Sequence, residues 1–555
     1  MSVSRVTTIP YNARHFGGRL RLDPWSAASL IVGLVVATPI LVVVSFLANP
    51  SVEVWAHLWQ TQLTELIWNT LRLMLGVGLG VLVLGTGLAW LVTMYRFPGR
   101  TFFEWLLILP LAIPTYVIGF VFQGIFDYTG PIQTWLRSVV GAKIWFPEIA
   151  SFGGVTLVMS LVLYPYVYLL ARTAFLEQSA STVEAARALG ARGPKVFWRV
   201  ALPLARPSIA AGTALALMEA LADFGTVAIY GYSSFTVAIY RVWFGMFDRH
   251  AATELASLLM LFTFTLYLLE RAVRGRARFY QTEGKVRPAA PKTLRGWKAW
   301  GATAALSLVV AIAFALPVAQ LVVWTFAVTD HDRRYPEFLA NTLLLGVVTA
   351  AVVIGAAIVV AYGLRLSRSR VTSALARLAG MGYALPGSVI AVGVLAPLAF
   401  LDQAVDDLLQ KTLGISGGLL FTGSMVGLVF AYMVRFLAVG YQTVEASLVK
   451  ITPTMDMAAR SLGADTGGVL RLIHLPLIRP GLSAAAILVF VDVMKEMPAT
   501  LLLRPFGYDT LAVRVWQLTS ESFWDAAALP ALTIVAAGIL PVLMLVRNRA
   551  RFPGG

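Results

Sequence analysis

Four carboxylates stand in surroundings that are otherwise apolar. Glu219 and Asp223 lie four residues apart in MEALADFGTV, and Asp492 and Glu496 repeat that spacing 273 positions later in FVDVMKEMPA. Residues four apart on a helix share a face, so each pair would present its carboxylates together. Ionised groups at membrane depth are costly, and they mostly line a pathway or pair with one another. Carboxylate oxygens also suit a hard cation. Two readings follow. The pairs face each other across an axis and line a cation route, so that alanine at Asp223 and Glu496 abolishes transport; or they sit near helix ends, with Lys495 adjacent to Glu496, and brace the packing through basic partners.

Other reactive residue types point nowhere in particular. His57, His250 and His331 fall in predicted external loops and His474 in a polar loop, so no metal-ligand spacing emerges and no metal site is assigned. There is no cysteine, which excludes disulfides and thiolate metal centres. A nucleotide-binding G-x-x-x-x-G-K-[ST] run is missing: Gly284-Lys285 is followed by Val286, and Phe279 stands where the first glycine belongs. The Gly-rich stretch GVGLGVLVLGTG lies within an apolar run and serves close helix approach.

What must position the carboxylates is a stack of membrane helices. Of 555 residues, 58% are hydrophobic and 13% charged, and the mean hydropathy is +0.77; such a composition belongs to integral membrane proteins. A hydrocarbon core of about 30 Å needs about 20 helical residues. Twelve candidate spans meet that length, near 26–48, 70–94, 103–125, 154–172, 208–230, 251–269, 300–326, 341–364, 376–400, 419–441, 481–503 and 526–546. Solid runs such as LIVGLVVATPILVVVSFLA exclude a barrel, whose strands alternate. The first run is too long for a signal-peptide core and reads as an uncleaved helix.

The formal net charge of +16 is distributed by side rather than by patch. Arginines precede the first span, follow the second, fourth and eighth, separate the halves and close the chain, whereas residues 49–68 hold no Lys or Arg and 401–418 only Lys411. This is the positive-inside pattern, not a nucleic-acid surface, and it predicts that both termini are cytoplasmic.

The chain is written twice. EAARALGARGPKVFWRVALPLARPS at 184–208 matches MAARSLGADTGGVLRLIHLPLIRPG at 457–481, and Asn69-Thr70-Leu71, Pro114 and Arg241-Val242-Trp243 recur at Asn341-Thr342-Leu343, Pro386 and Arg514-Val515-Trp516. Residues 1–270 and 299–555 are therefore two six-span repeats joined by a basic linker at 271–298. An even number of spans keeps both copies in one orientation, a parallel pseudo-twofold pair with a pathway between them.

Within the repeated loop, residues 184–189 favour a helix that closes at Gly190, which can adopt a left-handed conformation. Pro194 suits the first turn of a second short helix carrying Val196, Phe197 and Val200, and Pro203 and Pro207 are expected to end it.

This loop resembles the EAA motif of the permease subunits of ABC importers: Glu184-Ala185-Ala186, three residues, Gly190 and later Leu202-Pro203, repeated as Ala458-Ala459, Gly463 and Leu475-Pro476. The resemblance implies the all-α type I importer fold, a coupling helix at each loop docking on cytoplasmic ATPase subunits, expected as a homodimer, and ATP and Mg held by those partners rather than by this chain. The second copy departs from the pattern, with Met457 in place of Glu184 and Asp456 one position earlier, so a salt bridge carried by that Glu is expected in the first copy only.

The residues after each loop, and ILPLAIPTYVIGF in the third span, are similar to the ferric iron branch. They imply a bacterial inner-membrane permease that accepts its cargo from an extracytoplasmic binding protein, with thiamine, phosphonate and polyamine importers as the neighbouring alternatives. A secondary transporter would show ionisable relays and no repeated EAA loop. A non-transporting scaffold or sensor is the third reading.

Overall fold

The computed structural model describes residues 24–48, 52–141, 143–178, 186, 188–190, 193–276, 291–330, 332–366 and 380–550. Ten helices among them are long and apolar enough to cross a membrane. They are α1 (Pro24–Ala48) and α2 (Leu63–Met94), then α4 (Phe152–Leu176), α5 (Gly193–Ala222) and α6 (Arg249–Arg276), α7 (Trp297–Ala327), α8 (Tyr335–Leu366), α9 (Gly387–Leu413), α10 (Met425–Leu448) and α11 (Thr466–Met494). The pair Arg100–Ala112 and Thr115–Val140, bent by 90°, is an eleventh, of which Thr115–Phe126 is α3. The shorter apolar stretch of α12 (Ala528–Ala550) completes the twelve. The all-helical polytopic architecture is as expected.

Four features depart from the sequence reading, each for a local physical reason. The third span is broken, because Pro110 and Pro114 interrupt it: a 3₁₀ turn at Leu109–Ala112 precedes an extended Ile113, and Pro114 opens α3. The loop's second helix does not stop at Pro203 or Pro207, nor at Pro476 or Pro480; it continues as α5 and α11. A five-residue π turn lies directly ahead of each Leu-Pro pair, at Phe197–Ala201 and Leu470–His474, and the Leu202 and Leu475 amides bond five residues back. Widening the turn removes the clash between the proline ring and the preceding carbonyl, so the proline is absorbed instead of ending the helix. Leu316-Pro317 in α7 follows the same rule after a π turn at Ala311–Ala315.

The fifth and eleventh spans, third, end earlier than hydropathy suggests. Asp223 is extended (φ −69°, ψ 130°) after α5, and Lys495 closes α11. Short helices follow at Gly225–Ile229 and Pro498–Leu503. Each carboxylate pair therefore straddles a helix break rather than sharing one helical face.

Fourth, the two repeats are interlocked rather than side by side. One apolar core joins α2, α3, α4 and α5 to Leu306 and Leu321 of α7 and to Ala531 and Ile534 of α12. The other joins α8 to α11 with Val36 and Val43 of α1 and Leu255 and Leu259 of α6. The first and last helices of each repeat thus pack in the core of the other. Glycines permit the crossings: a Cβ on Gly538 would strike the Ala112 carbonyl, and one on Gly393 the Pro39 carbonyl. The linker adds a stitch, where Lys292-Thr293 pairs in parallel with Tyr95-Arg96 after α2. Residues 277–290 of the linker lie outside the described residues.

Candidate functional site: an acidic cavity at paired helix breaks

The two breaks face each other across a cavity of about 110 Å³ lined by Glu219 and Asp223 from one repeat and Asp492 and Glu496 from the other, with Thr115, Tyr116, Tyr166, Tyr383, Arg435 and Lys495. All four carboxylates singled out from spacing are brought together. Their chemistry differs, however, according to position within the break.

Asp223 and Glu496 act as caps. Asp223, 8% exposed, accepts from the Thr226 amide at 2.9 Å and the Val227 amide at 3.3 Å, which open the next helix, and from the Thr226 hydroxyl at 2.9 Å. The Thr115 hydroxyl donates to it from the start of α3. Glu496 accepts from the Ala499 amide at 3.2 Å, the Thr500 amide at 3.3 Å and the Thr500 hydroxyl at 3.1 Å. It also pairs with Arg435 at 3.1 Å. Orphan amides at a helix start are satisfied by such oxygens, so these two carboxylates brace the breaks as well as lining the cavity.

One turn earlier, Glu219 and Asp492 look into the cavity. Asp492 is paired with Lys495 at 2.8 Å. Glu219 accepts a hydrogen bond from Tyr383 across the repeat boundary, and Tyr383 also meets Tyr166. The Tyr116 hydroxyl, near both Asp223 and Glu496, is buried without a hydrogen-bond partner among the described residues.

The repeat explains an asymmetry that spacing did not reveal. At equivalent positions Thr115, Val162 and Ala222 of the first copy become Gly387, Arg435 and Lys495 in the second. A Cβ on Gly387 would collide with both the Glu496 carboxylate and the Arg435 guanidinium, so loss of the threonine makes room for the ion pair. Both basic groups of the cavity consequently come from the second repeat, and four carboxylates outnumber two cations. Arg435 had a sequence signal, an arginine inside the apolar run 419–441; Tyr166 and Tyr383 had none. Among the described residues no group of three or more His, Asp or Glu side chains is placed to hold a metal ion. The cavity is an acidic wall, not a chelating cage.

At the loop end of α5 and α11, Gly190 and Gly463 have φ of +81° and +89°, the left-handed turn expected at Gly190 and repeated at Gly463. Leu189 and Leu462, equivalent in the repeat, are each 88% exposed at the tips. Ala186 is half-buried, Ala458 exposed and Ala459 buried, while Leu202, Pro203 and Leu475 are half-buried and Pro476 is exposed. Glu184 and Ala185 lie outside the described residues. With helices of 30 and 29 residues, each loop is joined to the cavity by one continuous rod roughly 44 Å long.

The second loop carries a salt bridge of its own. Asp456 bonds His474 at 2.7 Å and Arg365 at 3.0 Å, and Arg365 also donates to the Leu448 and Ile451 carbonyls. The first copy has Val183, Ala201 and Thr93 at these positions. Burial raises the Asp456 pKa, but hydrogen bonds and charge from His474 and Arg365 outweigh it and hold the carboxyl below its ordinary value. A depressed carboxylate stabilises the fold above its unfolded pKa and loses that contribution as pH falls through the folded one. Asp456→Asn should cost ~1–2 kcal/mol at neutral pH, and the gap in melting temperature from the parent should hold down to about pH 5 and close below it. A gap unchanged at about pH 3 would place the stabilisation elsewhere.

Residues 81–279 match the family of binding-protein-dependent transport system inner membrane components. The chain is similar to an Fe(3+)-transport system permease protein of Haemophilus influenzae, 29% identical over 526 residues that cover 93% of this chain and 96% of that one. A ferric transport system permease protein of Actinobacillus pleuropneumoniae is 24% identical over 80% of this chain and 65% of its own. A sulfate transport system permease protein of Escherichia coli is 29% identical over 256 residues, 44% of this chain and 90% of that one, an alignment about one repeat long. With two interlocked helical repeats, matched loops and a relative that aligns over 93% of it, the chain is similar to permease proteins of binding-protein-dependent transport systems, whose inner membrane component residues 81–279 match.

Proposed function

We propose that this chain is the permease of an ATP-driven importer for ferric iron. Cargo arrives from an extracytoplasmic binding protein, crosses between the repeats and leaves on the side of the repeated loops, which dock on two cytoplasmic ATPase subunits. ATP and Mg are held there and not by this chain, and both termini are cytoplasmic in a bacterial inner membrane. The observation that carries the reading is the excess of carboxylates in the cavity between the helix breaks: an acidic wall attracts a cation and repels an oxyanion. The exposed Leu189 and Leu462 beside left-handed glycines support docking at both loops, and the rods α5 and α11 supply a mechanical connection to the cavity.

Sulfate is the second reading, favoured by the sulfate-permease relative and by Arg435 and Lys495, but both cations are already matched to carboxylates. Phosphonate is an anion that the acidic wall repels as it repels sulfate; thiamine and polyamine are cations that it admits, and the ferric relatives favour iron over them. Proteoliposomes holding the permease with its ATPase and binding protein should accumulate labelled ferric iron only with ATP. Accumulation of labelled sulfate in its place refutes the cargo, and transport by the chain alone in an ion gradient refutes the importer.

A further inference from the structure

The cavity contains a cation that belongs to the protein. Lys495 closes α11, and its ammonium lies 2.8 Å from Asp492 Oδ1. The side chain remains 31% exposed while lining the cavity, and it is within electrostatic reach of Glu219 in the other repeat. The first repeat has Ala222 at this position, so the device exists once per chain. The oxygens of Asp223 and Glu496 are engaged by helix-opening amides, which leaves Glu219 and Asp492 as the carboxylates able to change partner. The buried Tyr116 hydroxyl, unpartnered among the described residues, adds an oxygen that a bound cation could use.

We propose that Lys495 is a tethered surrogate for the cargo, holding the Glu219–Asp492 carboxylates in the idle permease and displaced when a hard trivalent cation enters. This rests on the proposed cation cargo. A covalently attached ammonium competes at a high effective concentration, whereas a trivalent ion gains three times the attraction per carboxylate and displaces it. In the idle state the tether spares the cavity the cost of unpaired buried carboxylates and keeps stray cations out. In transit it re-forms the Asp492 pair behind the cargo and lowers the residence time of the ion.

Terbium(III) tests this without transport, because Tyr166 and Tyr383 at the cavity can sensitise its luminescence. With the assembled transporter in nanodiscs, the parent should give a saturable tyrosine-excited signal, weakened because terbium must displace the tether. Lys495→Gln should bind terbium at least ~10-fold more tightly, and Lys495→Met should do the same. Lys495→Arg keeps a charge in place and should bind no more tightly than the parent. Adding Glu219→Gln or Asp492→Asn to Lys495→Gln should remove the gain in affinity. The proposal is overturned if neither neutral variant binds terbium more tightly than the parent, if Lys495→Arg gains as much, or if the gain survives both carboxylate substitutions. Failure of the ferric reading shows separately, as absent iron uptake by the parent in proteoliposomes.

Discussion

Glu219→Gln is expected to lower ATP-dependent ferric iron uptake by ~100-fold, equivalent to about 2.7 kcal/mol, while the transporter still assembles with its ATPase. The argument turns on which carboxylate oxygens are free to meet a cargo. Asp223 has three donors among residues 226–227 and a fourth in Thr115, so its removal strands amides at the start of a buried helix. Asp223→Ala should therefore lower the melting temperature together with uptake, which makes its transport phenotype uninformative about the pathway. Glu219 instead sits inside α5 with a tyrosine hydroxyl as its bonding partner. Glutamine keeps that acceptor and the shape but removes the charge that draws a cation across the apolar wall. Uptake of labelled iron, with melting temperature and ATPase copurification recorded in parallel, checks it. Uptake within threefold of the parent would take Glu219 out of the pathway.

Valine at Gly190 or Gly463 should uncouple ATP hydrolysis from transport. Both glycines hold a left-handed φ, which costs a residue with a Cβ roughly 1–2 kcal/mol and a β-branched residue more. Open space surrounds each position, so sterics elsewhere add nothing and the strain acts on the turn itself. Relaxing φ redirects the residues that lead into the turn, with Leu189 or Leu462 at its tip, while α5 or α11 and the cavity stay in place. Uptake is expected to fall by ~100-fold, with reduced retention of the ATPase on purification and an unchanged melting temperature of the permease alone. The two positions should respond alike, because their geometry is the same. Full tolerance at both would remove the lever from the mechanism.

The loops are nonetheless unequal. Where the first carries Glu184, the second has Met457, 62% exposed, and turns its neighbour Asp456 inward onto His474 and Arg365. The acid one position earlier serves as an internal brace, while the salt bridge expected of Glu184 in the first copy falls outside the described residues.

Several features were legible without coordinates because they depend on local chemistry or on composition. Twelve apolar stretches, the duplication, the left-handed glycines and the four carboxylates belong to that class. The prolines show where local rules run out. Pro203 and Pro476 read as helix ends, yet a π turn one step ahead absorbs them, and which outcome prevails is settled by the packing that holds the continuous helix. Hydropathy likewise carried the fifth span past Asp223, since a helix break inside an apolar run does not change its mean.

From sequence alone came the class of molecule, the number of spans and the identity of the acidic residues, since burial in lipid constrains composition along the chain. Tertiary structure alone decided which carboxylates are consumed as caps, which basic groups answer them, and that the outer helices of each repeat lie in the other's core. Those outcomes depend on partners far apart in sequence, such as Arg435 with Glu496 and Glu219 with Tyr383. A linear pattern fixes the face and spacing of a residue, whereas its partner across a break is chosen by where the backbone bends.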